Sequence, residues 1–310
     1  MKLKSKIMDS LGYTKPLYVM AFDHRASFVK KLFGWEGDLT EEQISKVSDY
    51  KFAIFEALLK AIEQGVTKEY AAVLSDEQFG SRVHTEAKAA GITTMLTLEK
   101  SGQDEFDFEY GEDFGEHVLK FNPTFTKALI RYNPDSDHEM NSRQRVRLKQ
   151  AADFCHENGI KFLIEPLIPG TKEQMGSVGG DQKRYDDEIR PGLVVRMIKE
   201  LQDEGVEVDI WKIEGLNATQ DYEKVVAQAK TDGRNGVSIV ILGRGEGREG
   251  VEKWLRVGKE VPGVTGFAIG RTIFWEPLVS LKDGAITRSE AVDQMCQNYM
   301  NFYKVFTEGK

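Results

Sequence analysis

Short apolar runs of β type alternate along the chain with amphipathic stretches of helical period. The runs are Tyr18–Phe22, Ala71–Leu74, Thr93–Leu98, Ala128–Tyr132, Phe162–Ile164, Asp209–Ile213, Ser238–Leu242 and Gly266–Ile269. They are nearly continuous in apolar residues, as strands covered on both faces are. Helical patterns fit between them. Thr40 with Gln43 forms a capping box that opens a helix reaching Gln64 and stopping at Gly65. Further helices are predicted at 143–157, 193–204, 221–230 and 250–259, with a C-terminal one at about 288–306. Several of them stop at Gly before the next strand, which suits an αβ loop.

Eight β-then-α units predict a closed parallel barrel, a single (β/α)8 TIM barrel spanning residues 1–310. The rival architecture is a doubly wound open sheet, which often carries a glycine fingerprint after its first strand. Here that strand runs into Asp23-His24-Arg25 instead. No linker or shift in composition divides the chain. The polar stretches 133–141 and 169–187 are predicted as long βα loops on the active face.

Composition narrows the function. The chain has 310 residues, 40% hydrophobic and 30% charged, with a formal net charge of -8. Such an acidic chain without a long basic run is a poor partner for nucleic acid. The N-terminus lacks the apolar core of a signal peptide, and no apolar run is long enough to span a bilayer. Cys155 and Cys296 lie far apart and are expected as free or buried thiols of a cytoplasmic protein. The five histidines (His24, His84, His117, His138, His156) show no metal-ligand spacing, so neither metal nor cofactor is expected.

In such barrels chemistry sits where strands end. Most strand ends here carry ionisable groups: Asp23-His24-Arg25, Ser75-Asp76-Glu77, Glu99-Lys100-Ser101, Lys127 with Arg131, Glu165, Lys212 with Glu214, Gly243-Arg244-Gly245 and Gly270-Arg271. A charge buried there must pair or serve a ligand. Lys212 interrupts the apolar strand DIWKIEG, and period-two alternation puts Ile210, Lys212 and Glu214 on one face. A desolvated lysine near other cations gives up its proton more readily, and a neutral amine attacks ketones. The bland alternative is a lysine paired with Glu214 or Glu165. Glu165 suits proton transfer, or a salt bridge to Lys127 or Lys212. Lys127 is placed just before the fourth strand, where a solvated lysine is the plain reading. Arg131 shares its strand face, so one of the two is expected to turn toward the helices. Asp76 and Glu77 are expected to cap a loop or pair with Arg82 or Lys100, with magnesium binding the lesser alternative. The glycines of GRGEG (243–247) and IGRT (269–272), with Arg244 and Arg271, stand where barrels often bind phosphate.

The segments AFDHR (21–25), SDEQFG (75–80), EKSG (99–102), KALIRYNPD (127–135), IEPL (164–167), YDDEIRP (185–191), VDIWKIEGL (208–216), ILGRG (241–245) and GFAIGRTIFW (266–275) together resemble one family. It is the aldolase-like domain found at the C-terminus of bacterial myo-inositol-catabolism (5-dehydro-2-deoxygluconokinase) fusions. That family is similar to class I tagatose-bisphosphate aldolases and, more distantly, to sulfofructose-phosphate aldolases. The resemblance spans about residues 15–280. It implies Lys212 as the Schiff-base lysine, Glu165 as the proton-transfer group, and Lys127 and Asp23 as further catalytic residues. It implies the phosphate end at Gly243, Gly245, Gly270 and Arg271; Arg244, His24, Arg25, Glu77, Lys100 and Glu214 are expected as further substrate contacts. His24 departs from the glutamine of the tagatose enzymes, which points to a different sugar, 2-deoxy-5-keto-gluconate 6-phosphate. His24, Arg25 or Arg82 is then the expected partner of its carboxylate. Tagatose-bisphosphate or sulfofructose-phosphate cleavage stands as an alternative. So does a non-catalytic phospho-sugar-binding barrel that partners a sugar kinase. The expected partners are the small phosphorylated sugar and, through the outer helices, a second copy of the chain.

Overall fold

A computed structural model describes residues 10–243 and 247–309. Eight parallel strands close into a barrel in sequence order. The first half runs β1 (Leu17–Ala21), α1 (Ala26–Phe33), α2 (Glu41–Glu63), β2 (Ala71–Ser75), α3 (Glu77–Ala89), β3 (Thr93–Thr97), α4 (Phe114–Phe121), β4 (Phe125–Arg131) and α5 (His138–Glu157). The second half runs β5 (Lys161–Leu167), α6 (Lys172–Ser177), α7 (Arg190–Asp203), β6 (Ile210–Glu214), α8 (Thr219–Ala229), β7 (Ser238–Leu242), α9 (Arg248–Gly258), β8 (Val264–Ile269), α10 (Arg271–Lys282) and α11 (Arg288–Thr307). Pairing of Leu17 with Gly266 closes the ring between β1 and β8. The expected (β/α)8 barrel is therefore the observed one.

The predicted strands recur within a few residues of their expected bounds. β4 begins three residues earlier than expected, at Phe125, and β5 is longer at both ends, because polar residues such as Lys127 and Glu165 point into the lumen rather than ending the strand. The Thr40 capping box forms as expected, with Thr40 Oγ1 accepting from Gln43 N and Gln43 Oε1 accepting from Thr40 N. The two predicted loops are shorter than expected. Asp137 caps α5 through Glu139 N and Met140 N, so the helix starts at His138 rather than Arg143. The 169–187 stretch is largely helical. Thr171 and Gln174 box the start of α6, and Asp181 caps a short helical run that continues through a π turn at Tyr185–Ile189 into α7.

Two apolar layers result from strand alternation. Odd or even positions that face the helices join the large outer core. The opposite set, Leu17, Val19, Ala21, Ala72, Leu74, Met95, Phe125, Leu163, Ile210, Val240 and Ala268, fills the lumen. The floor below it is closed by residues 11–13. Gly12 has φ 100°, and a Cβ there would stand 1.9 Å from the carbonyl carbon of Gly236, so only glycine fits. Buried Asp209 holds this segment. It accepts from Gly12 N (2.7 Å) and Phe162 N (2.8 Å) and pairs with His156 (2.9 Å) and Lys161 (2.9 Å). Tyr13 packs edge-on against Phe125, and its carbonyl oxygen accepts from Ser238 Oγ at 2.6 Å.

Candidate active site

Above the apolar lumen the same inward-facing positions turn polar. Continuing β1 by two residues from Ala21 gives Asp23, and two from Phe125 give Lys127. Leu163 leads to Glu165, and Ile210 to Lys212. These four line one cavity of about 340 Å³ at the C-terminal mouth of the barrel. That volume falls in the range of small-molecule sites.

The cluster is buried and mutually paired. Lys127 is 0%, Lys212 2% and Glu165 5% exposed. Lys212 Nζ lies 2.8 Å from Glu165 Oε2. The same oxygen lies 3.0 Å from Lys127 Nζ, which also reaches Asp23 Oδ2 at 2.7 Å and Glu99 Oε1 at 2.6 Å. Burial opposes charge on all of these groups, yet the opposite charges prevail at several. Burial alone would raise Asp23, but Lys127, Lys212 and His24 hold its carboxyl well below the usual range. Glu165 is lowered in the same way, by Lys127 and then Lys212 against burial. Lys127 is raised, because Asp23, Glu165 and Glu99 outweigh its desolvation. Burial wins at Glu99, whose carboxyl is raised.

The placement of Lys127 corrects the sequence expectation. It is the third residue of β4 and fully buried, not a solvated residue before the strand. Arg131 does not turn to the helices either; both line the cavity. Glu99, absent from the expected site residues, is the third carboxylate on Lys127. Parity carried from Met95 through Thr97 would have found it.

The rim is uneven. His24 lines the cavity with Nδ1 buried and without a hydrogen-bond partner, and burial pushes the imidazole down to about 4. Arg25 also lines it, but its guanidinium is committed to Glu109 Oε2 (2.8 Å) and the Glu99 carbonyl oxygen. Its Nε is buried and makes no hydrogen bond. Lys100 is at the edge, exposed and 2.9 Å from Asp107. Gly243, Gly270, Arg271 and Thr272 line the opposite side, where α10 begins. Gly270 has to lack a side chain, since a Cβ would lie 2.3 Å from the Ala21 carbonyl oxygen. Arg244 and Gly245 lie outside the described residues.

Three expected contacts are elsewhere. Glu77 starts α3 on the outside and pairs with His117 (2.7 Å) and Lys120 (2.9 Å). Glu214 shares the parity of Lys212 but lies past the cavity, accepting from Ile168 N at 3.4 Å, with Arg190 3.9 Å away. Arg82 lies on α3 over the Phe52 ring, 3.4 Å from its centre. Asp76 caps α3 through Phe79 N (2.8 Å) and pairs with buried Lys51 rather than Arg82 or Lys100. Among the described residues no group of three or more His, Cys, Asp or Glu is arranged to hold a metal ion. Nor is any helix among them long and apolar enough to cross a membrane.

Comparison with known proteins adds a family. Residues 8–310 match a family described as an uncharacterized protein conserved in bacteria, DUF2090. The chain belongs to this family. More distant are curated aldolases. Tagatose 1,6-diphosphate aldolase of Lactococcus lactis subsp. lactis is 24% identical over 220 residues, 69% of this chain and 61% of the relative. The enzyme of the same name from Listeria monocytogenes serotype 4b (strain CLIP80459) is 26% identical over 201 residues, 63% of this chain and 54% of the relative. The family's chain thus spans somewhat over half the length of these relatives. A crystal structure of a Corynebacterium glutamicum protein superposes with a TM-score of 0.56 at 14% identity, covering 97% of this chain and 92% of that one. That likeness shows the fold alone.

Proposed function

We propose that the protein is a class I aldolase, a carbon–carbon lyase that works through a Schiff base on Lys212. One observation carries this reading: a buried lysine amine at the cavity floor, 2.8 Å from a buried carboxylate that a second lysine keeps ionised. Lys212 passes its proton to Glu165 Oε2, and the neutral amine attacks the substrate ketone. Glu165 returns that proton to the carbinolamine hydroxyl, which leaves as water, and an iminium remains on Lys212. Glu165 then takes the proton of the hydroxyl two carbons away. The carbon–carbon bond breaks, its electrons enter the iminium, and an aldehyde departs. The enamine left on Lys212 is protonated at carbon, and water hydrolyses it to a free amine and a ketone. Lys127, held by three carboxylates, balances the charge throughout.

The names of the curated relatives support a phosphorylated keto-sugar as substrate. Gly243 after β7, with Gly270 and Arg271 at the start of α10, suits its phosphate. With His24 in place of glutamine, the substrate is 2-deoxy-5-keto-gluconate 6-phosphate, which would give dihydroxyacetone phosphate and malonate semialdehyde. Tagatose bisphosphate and sulfofructose phosphate are the competing substrates, to be compared in one coupled assay for dihydroxyacetone phosphate.

The first test is borohydride trapping with dihydroxyacetone phosphate, followed by peptide mass spectrometry. A stable adduct on Lys212 is expected, and Lys212→Met should remove it and lower turnover by on the order of 10³-fold or more. An adduct on Lys127 would reassign the nucleophile. Binding without any adduct would replace the enzyme reading with a phospho-sugar-binding barrel.

A further inference from the structure

An ammonium has three hydrogens, and three carboxylates surround Lys127. Two of the contacts are well-directed hydrogen bonds, to Asp23 Oδ2 at 2.7 Å and Glu99 Oε1 at 2.6 Å. The third is different. Glu165 Oε2 is at ion-pair distance from both Lys127 and Lys212, yet accepts no aligned hydrogen bond from either. It is held by the two ammonium charges, with Lys212 the nearer partner at 2.8 Å. Glu99 cannot drift to follow Lys127, because its other oxygen accepts from Leu129 N at 3.1 Å and its carbonyl oxygen accepts from buried Arg25. Glu99 is itself 6% exposed.

We infer that Glu99 is a positioning residue: together with Asp23 it holds the hydrogens of Lys127 away from Glu165, so that Glu165 Oε2 accepts no aligned bond from Lys127 and stays turned to Lys212. A carboxylate that accepts an aligned charge-assisted bond is a weaker base than one that does not. Without Glu99, Lys127 loses an acceptor and turns a hydrogen toward the nearest free oxygen, Glu165 Oε2. The loss of a nearby negative charge acts in the same direction. Both changes lower the proton affinity of Glu165, which is faced by Asp23 and His24 from β1, Lys127 from β4 and Lys212 from β6. The consequence for catalysis rests on the aldolase reading; the geometry does not.

The experiment is a carboxyl ¹³C NMR titration of glutamate-labelled wild type and Glu99→Gln, with the Glu165 signal assigned through Glu165→Gln. The Glu165 midpoint is expected to fall by about one pH unit in Glu99→Gln, a tenfold loss of proton affinity. An unchanged midpoint in a folded variant would mean that Glu99 is a neutral acid with no hold on Glu165, and would overturn the proposal. If Glu99→Gln does not fold, Glu99→Asp enters the same titration, since its shorter side chain cannot span Lys127 and Leu129. A kinetic arm follows the rate of borohydride-trapped adduct with dihydroxyacetone phosphate against pH. There Glu99→Gln should be about tenfold slower at the wild-type optimum, with its acid limb displaced to lower pH. A uniform loss at every pH, with the limb in place, would mark a purely structural role and count against positioning. Absence of any wild-type adduct would sink the aldolase reading, while the titration still decides the role of Glu99.

Discussion

His24 shows what burial does to a single group. Its imidazole is held at about 4 against an ordinary 6.5, chiefly by desolvation. Between those values the unfolded chain binds a proton that the folded chain refuses. Stability should therefore fall as pH drops from about 6.5 toward 4. His24→Gln removes this contribution, so urea melts of the variant should lose less stability across that window than wild type. A wild-type imidazole titrating near 6.5 by NMR would contradict the burial argument. The residues of the site were legible wherever parity was pursued. Asp23, Glu165 and Lys212 continue the inward face of their strands in plain view. Lys127 was recognised through family likeness but placed outside its strand, because Phe125-Thr126 does not look like an apolar run. Glu99 stands just past the end of its strand beside the more conspicuous Lys100, and only parity from Met95 marks it as inward-facing. Glu77 and Glu214 stood at strand ends, yet pairings with His117 and around Arg190 take them elsewhere. Such pairings depend on contacts between distant segments, which local pattern does not encode.

At the scale of elements, α2, β2 and α3 meet at one ion pair. Lys51 is fully buried on α2, and its ammonium reaches Asp76, which in turn caps α3. The Phe28 and Phe79 rings flank the ammonium at 5.7 and 5.4 Å. Burial lowers Lys51 in spite of its partner. Lys51→Met should cost about 3–5 kcal/mol in denaturant unfolding, because it strands the Asp76 charge in an apolar layer. Adding Asp76→Asn should recover part of that loss, since the amide still caps the helix. If the double variant is no more stable than the single one, the pair is not the source of the cost. Here too the chain announced the element but not its partner. Asp76 reads as a cap, whereas Lys51 sits 25 positions earlier, inside the helix that the Thr40 capping box opens, where nothing local marks it as the buried partner. The 169–187 segment was the reverse case. Its polarity suggested a loop, but Thr171 and Asp181 supply helix caps within it.

Across the whole molecule, barrel closure was legible because eight apolar runs recur with helical spacers and the first strand runs into Asp23-His24-Arg25 rather than the glycine fingerprint of an open sheet. The floor was not, since nothing in the sequence around Gly12 names Asp209 as its partner. Asp209 is lowered below its ordinary 3.8: burial opposes its charge, but His156, Lys161 and Phe162 N outweigh that. A lowered carboxylate adds stability that is present above about 3.8 and is lost as pH falls toward its folded value. Asp209→Asn should therefore destabilise the protein by about 2–4 kcal/mol near neutral pH. The gap from wild type should close as the pH is taken below that value. A gap that persists unchanged into acid would show that Asp209 acts through shape rather than charge.

The Gly12 segment has one more consequence, for traffic. Among the described residues the floor is plugged, so the barrel is a cul-de-sac there, and what reaches Lys212 comes and goes by the doorway at the strand ends. In the proposed reaction two fragments form behind that doorway while one is still tethered to the lysine. The untethered aldehyde must leave first, and an excess of it outside should drive the enamine backward before the ketone can depart.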